Sequence, residues 1–240
     1  MMNTIKFEKK AVKMVAHRGL SGIERENTNA AFIAAGNRSY YGIETDVIKT
    51  ADGKFVLNHD GDLNRVAGEN VVVGKCTLEQ VQSVLLTDTD GNKDRQDLRT
   101  PELGNYIKLC KRYEKTAVLE LKDPFTQEDI RQIIDIIKGY DYLEQVTFIS
   151  FYYENLLYVR NLEPQQSAQF LDRALTHQVI ARCAADKLDV DIKHTALTPE
   201  NIRAAHEAGL VVNCWTVDDP EVAEKLATWG VDYITTNILE

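Results

Sequence analysis

Apolar, β-rich runs return along the whole chain, at 12–16 (VKMVA), 41–49, 116–122 (TAVLELK), 145–150 (QVTFIS), 167–171 (SAQFL), 188–192, 210–215 (LVVNCW) and 231–236 (VDYITT). Helical patterns separate them, several with start or stop signals. Thr77 with Gln80 reads as a capping box before LEQVQSVL. Thr100-Pro101 and Thr198-Pro199 each set an N-cap before a first-turn proline. Gly139, Gly209 and Gly230 stand where left-handed residues close helices. Strands alternating with helices predict right-handed βαβ units and a parallel sheet. Eight such units favour an α/β fold closed as a (β/α)8 TIM barrel. An open doubly wound sheet is the runner-up, but no G-x-G-x-x-G or P-loop supports it.

The stretch 60–99 breaks this rhythm. It is polar, contains the turn-like GDLN, AGEN and DTDGN segments, and holds one short predicted helix. It reads as a small insertion after the second strand, over the C-terminal rim, either as a solvated loop or as a substrate lid. No Pro- or Gly-rich linker divides the chain, so a single domain over 1–240 is expected.

Composition narrows the partners. At 240 residues, 44% hydrophobic and 27% charged, the chain is ordinary for a globular protein. A net charge of −9 without a basic patch argues against nucleic acid and anionic membrane, while leaving room for a local cationic pocket. The N-terminal stretch MMNTIKFEKKAVKMVAHRGL has no apolar signal core, and no apolar run approaches the roughly 20 residues of a membrane helix. No stable membrane insertion and a cytoplasmic location are expected. Cys76, Cys110, Cys183 and Cys214 are scattered, which reads as free thiols. A homo-oligomer is left open.

Functional groups of a barrel gather where its strands end. His17 and Arg18 follow the first strand; Glu44 and Asp46 lie two apart on the second, so a period of two points both to one face. Glu120 and Lys122 repeat that spacing on the third. His59 ends a short extension, KFVLNH, Phe151 follows the fourth strand, and Trp215 closes the seventh. Each alone has an ordinary explanation: a carboxylate paired with a lysine, a loop histidine, a core aromatic. Together they place three carboxylates, two cations and two imidazoles at one rim. Carboxylates without thiolate suit one hard divalent cation, Mg2+ or Ca2+. Arg18 and Lys122 suit phosphate oxygens, and His17 and His59 suit acid and base roles. Phosphoryl chemistry fits this set better than acyl or hydride transfer.

The same residues resemble a known family. "AHRGLSGIERENTNAAF" is similar to the H-R-G…E-N-T…A-F signature of the glycerophosphodiester phosphodiesterases, and "IETDVIKTADGKFVLNHD" to their E-x-D…T-x-D-G…V-x-x-H-D block. LELK at 119–122, ISF at 149–151 and CWTVDDPEVAEKLATWGVDYITTN extend the match nearly end to end. The resemblance implies His17 and His59 as catalytic acid and base, Glu44, Asp46 and Glu120 as metal ligands, and Arg18 and Lys122 as phosphate contacts. Trp215 matches a pocket aromatic. The implied reaction converts a small glycerophosphodiester into sn-glycerol 3-phosphate and an alcohol. Two positions depart from the pattern: Arg25 replaces a proline before E-N-T, and Thr236-Asn237-Ile238-Leu239 replaces T-D-x-P. A lysophospholipase D-type enzyme and an inactive phosphodiester-binding barrel are the competing readings.

Overall fold

The computed structural model describes residues 3–240. Eight parallel strands close into a barrel: β1 Lys13–Ala16, β2 Gly42–Lys49, then, past a short β3, β4 Thr116–Leu121, β5 Val146–Ser150, β6 Ser167–Asp172, β7 Asp189–Lys193, β8 Val212–Trp215 and β9 Tyr233–Thr236. β1 closes the ring by pairing with both β2 and β9. The exception in direction is β3, Phe55–Leu57, which runs antiparallel along the end of β2 (Val47 opposite Leu57). This is how His59 arrives at the rim: the chain passes the C-terminal end of β2, turns at Thr50–Gly53, and returns along β2 as β3.

The helices between the strands are α1 Asn29–Gly36, α4 Leu103–Arg112, α5 Gln127–Lys138, α6 Tyr153–Leu162, α7 His177–Ala185, α8 Pro199–Glu207 and α9 Pro220–Trp229; α2 Asn64–Ala67 and α3 Leu78–Ser83 lie before α4. Most of the core is the layer between these helices and the outer faces of the strands. A small separate cluster, Val15, Val118, Ile149 and Leu171, fills the barrel interior below the rim. Residues 60–99 contain two short α-helices and a 3-10 turn at Val73–Lys75 rather than one helix, and they gather Leu63, Val66, Val73, Val81, Val84, Leu86 and Leu98 into a satellite core shared with Ile48 and Val56. Its apolar side chains were too sparse and irregular in sequence to show a period.

The Thr77/Gln80 capping box and the Thr198 cap before Pro199 both form. Gly209 (φ 82°) and Gly230 (φ 93°) are left-handed. Two expectations need correction. Thr100-Pro101 does not start α4, whose N-cap is Glu102. Residues 101–102 instead run beside β3, the Pro101 carbonyl accepting from Leu57 N, so the sheet edge claims them first. Gly139 ends α5 with φ −59° and ψ −16°, a right-handed residue, and the left-handed one comes two positions later at Asp141 (φ 52°).

Candidate active site

The end of β1 makes a tight turn. Arg18 and Asn27 both take left-handed backbone at φ 53°, uncommon for such residues and frequent where function demands it. Gly19 (φ 76°) follows, and a Cβ there would lie 2.7 Å from Ala31, so only glycine lets α1 pack this close. The turn is locked to β2: Arg18 N donates to Glu44 Oε2 at 2.7 Å, and Asn27 Nδ2 to Asp46 Oδ2 at 2.9 Å.

On β2 and β4, Asp46 pairs in register with Glu120 and Glu44 with Val118, which brings three acids to one place. Ligand oxygens of Glu44, Asp46 and Glu120 all lie within 4.8 Å of one another, and all three residues are buried. Burial first, with Asp46 and Glu120 adding like charge, pushes Glu44 well above the usual carboxylate range. Burial, then Asp46, lifts Glu120 to about 8. For Asp46, burial is outweighed by Lys122 and Arg18, which hold it below the usual range. Lys122 Nζ stands 3.2 Å from Asp46 Oδ1 and 3.1 Å from Glu120 Oε1. It is not aligned for a hydrogen bond with Asp46 Oδ1, which remains buried without a bonded partner. An acid triad with an orphaned oxygen and no sulfur donor fits a hard divalent cation.

Both imidazoles are held by Nδ1. Asp218 fixes Asn237, accepting from its Nδ2 at 2.6 Å and its backbone N at 2.7 Å. That turns Asn237 Oδ1 toward His17 Nδ1, 2.8 Å away, and toward the Ser21 hydroxyl. The His17 proton therefore sits on Nδ1, leaving Nε2 bare and 4.0 Å from Glu44 Oε2. His59 Nδ1 lies 2.8 Å from Asp60 Oδ1, and a carboxylate only accepts, so the same tautomer follows. Burial, then Arg18, draws His17 down to about 4, and burial also lowers His59. His17 is thus uncharged at neutral pH, and in each ring Nε2 is the nitrogen without a hydrogen-bond partner among the described residues.

Charge links the two sides of the rim. Arg65 Nε donates to Asp60 at 2.7 Å, and its two terminal nitrogens to Glu26 at 2.6 and 2.9 Å. Glu26 in turn accepts from Arg18 Nη1 at 2.8 Å. Arg18 Nε, 3.5 Å from Asp46 Oδ2, is buried with no bonded partner, a donor left over. Phe151 and Trp215 meet edge to face with centroids 5.5 Å apart.

Of the nine residues singled out in the sequence, eight line one cavity: His17, Arg18, Glu44, His59, Glu120, Lys122, Phe151 and Trp215. Asp46 sits directly behind, in the acid triad. Sequence reasoning passed over Glu26, Asp60, Arg65, Asn237 and Asp218, which hold the functional groups from outside. It also passed over Asp191, which lines the same cavity. Asp189 and Asp191 show the two-residue spacing that drew attention to Glu44 and Asp46, so a signal was there. Both departures from the family pattern have structural uses: Asn237 anchors His17, and Arg25 donates to the carbonyls of Thr87 and Asp88, tying the first loop to the 60–99 segment.

A TIM barrel with acids, imidazoles and cations gathered at the C-terminal ends of its strands is the frame of many hydrolases. Residues 17–240 match the glycerophosphoryl diester phosphodiesterase family. The chain belongs to that family and is a phosphoric diester hydrolase. The glycerophosphodiester phosphodiesterase of Caldanaerobacter subterraneus subsp. tengcongensis is 28% identical over 93% of each chain. That of Bacillus altitudinis is 27% identical over 94% of each. An Oleispira antarctica phosphodiesterase solved in complex with the product sn-glycerol-3-phosphate shares the fold, with a TM-score of 0.87 at 24% identity, over 97% of this chain and 96% of that one. Among the described residues no helix is long and apolar enough to cross a membrane.

Proposed function

We propose that this chain hydrolyses small glycerophosphodiesters, such as glycerophosphocholine and glycerophosphoethanolamine, to sn-glycerol 3-phosphate and a free alcohol. The observation that carries this reading is the convergence of two imidazoles, each with its bare Nε2, and two cations around one buried acid triad. Further support comes from the Oleispira relative of the same fold, whose solved complex holds sn-glycerol-3-phosphate.

Glu44, Asp46 and Glu120 would hold one divalent cation, Mg2+ or Ca2+. Bound there, the cation would offset the acid charge and act as a Lewis acid toward a phosphoryl oxygen. Arg18 through its guanidinium charge, and Lys122 through its Nζ, offer positive charge to the phosphodiester anion from the cavity wall. One imidazole takes a proton through Nε2 from the attacking hydroxyl or water. The other, first protonated at Nε2 from solvent, gives that proton to the departing alkoxide, and the proton taken up by the first ring passes back to solvent. Asn237 and Asp60 keep both Nδ1 protons in place while Nε2 works. Four free cysteines, three of them buried, suit a reducing compartment such as the cytoplasm.

A coupled assay for glycerol 3-phosphate, run over a panel of deacylated phospholipids with each cation, tests the reading. Release of glycerol 3-phosphate from glycerophosphodiesters, and no release of choline from lysophosphatidylcholine, is expected. Turnover of the lysolipid alone would move the protein to the lysophospholipase D class, and binding without turnover would make it an inactive barrel.

A further inference from the structure

The proton transfers and phosphate contacts leave one carboxyl in the cavity unused. Asp191, on β7, is only 1% exposed and lies in the lining of the same cavity as His17, Glu44 and Glu120. Its backbone carbonyl accepts from Trp215 Nε1 at 3.2 Å, so the indole is pinned against the same wall. Its side chain is different. Oδ1 is buried with no hydrogen-bond partner, and among the described residues no lysine, arginine or histidine forms an ion pair with either oxygen. On the adjoining strands, Leu171 of β6 and Asn213 of β8 stand in register with Asp191; the Asn213 amide is taken up by Gln169 and Thr235, and Ile149 lines the same cavity.

A buried carboxyl without a partner costs stability, typically by 1 kcal/mol or more, and in native proteins such a group calls for an explanation. Among the described residues nothing offers one. Apolar Ile149 and Leu171 line the cavity together with this open acceptor, a combination that matches a short polyol carrying CH groups and hydroxyls. Burial, then the charge of Glu120, raises Asp191 well above the usual range. Protonated or ionised, the carboxyl accepts a hydroxyl proton, so the match does not depend on its charge state.

We propose that Asp191 is a specificity-determining residue that hydrogen-bonds a hydroxyl of the substrate's glycerol unit. It selects glycerophosphodiesters over diesters lacking that hydroxyl. This rests on the proposed function. A site built to pair a hydroxyl penalises an analogue without one, because the buried partner is left unsatisfied.

The test compares wild type, Asp191→Leu and Asp191→Asn on glycerophosphoethanolamine and on propyl phosphoethanolamine, the same diester without hydroxyls, with thermal melting alongside. Asp191→Leu should lower kcat/KM on the glycerol diester about 10- to 100-fold, and on the propyl diester less than about threefold. Its Tm should stay level or rise, since an unpartnered buried carboxyl is gone. Asp191→Asn keeps an accepting oxygen and should retain most of the preference for glycerol. Equal losses on both diesters together with a lower Tm would mean a structural residue and overturn the proposal. Equal losses on both diesters in Asp191→Asn and Asp191→Leu, with Tm unchanged, would show that the residue reads the shared ammonium by charge, which also overturns it. Wild type that releases no glycerol 3-phosphate from any glycerophosphodiester would instead sink the functional reading beneath it.

Discussion

Arg65 grips Glu26 with two bonds of 2.6 and 2.9 Å, and by that grip a residue of the 60–99 segment reaches the active rim. Glu26 passes the contact to Arg18, while Arg65 Nε holds Asp60 and so His59. One guanidinium thus helps to orient both Arg18, the proposed phosphate contact, and the His59 imidazole. Arg65→Met should lower kcat roughly 10- to 100-fold through misplacement of both groups. Arg65→Lys should rescue little, because a point charge cannot reproduce the fork. Steady-state kinetics on glycerophosphoethanolamine checks this, and a kcat within about twofold of wild type in Arg65→Met would show that the link is idle.

The Glu26 carboxyl at the centre of this link responds to acid. Burial would raise it, but the bonds from Arg65 and Arg18 prevail and draw it down to about 2. An unfolded glutamate titrates near roughly 4.3. A depressed folded value means that the stabilisation is present above about pH 4.3 and fades as pH falls toward 2. Urea melts at several pH values should therefore find Glu26→Gln less stable than wild type at pH 6, with the gap narrowing below pH 4. A gap constant from pH 6 to 3 would contradict the charge-based account.

Much of this site is legible in the chain because a strand's period of two is rigid. Glu44 with Asp46, and Glu120 with Lys122, share a face wherever the chain is extended, and the pairing of β2 with β4 brings the two pairs together. The eight main strands follow for the same reason, their apolar runs being long and continuous. What the sequence concealed depends on contacts between distant segments. The residue needed to hold His17 is Asn237, 220 positions away. Nothing near Arg65 says that it will meet Glu26, 39 positions earlier. Thr100-Pro101 misled because a local cap signal lost to a sheet edge that wanted the same backbone.

Each imidazole should matter in its own right. His17→Ala and His59→Ala should each cut kcat about 10²–10⁴-fold while melting normally. Asn237→Ala should give a smaller loss, since His17 keeps its ring but loses the bond that fixes its tautomer. Near-normal turnover in either histidine variant would remove that ring from the proton transfers.

The acid triad should couple cation binding to pH. Burial and Asp46 raise Glu120 to about 8 in the cation-free fold, against roughly 4.3 unfolded. Its folded value is raised, so this contribution to stability is full below about pH 4.3 and is lost as pH climbs toward 8. Added Mg2+ or Ca2+ should therefore raise Tm more at pH 8 than at pH 5, where the ligand must shed its proton first. Differential scanning fluorimetry with and without cation reads this directly, and an equal or larger shift at pH 5 would contradict it.

The most direct test follows the product. Protein stripped exhaustively with EDTA should release essentially no sn-glycerol 3-phosphate from glycerophosphoethanolamine, and adding back Mg2+ or Ca2+ should restore release. An undiminished rate in the stripped protein, or no release with either cation, would contradict the account.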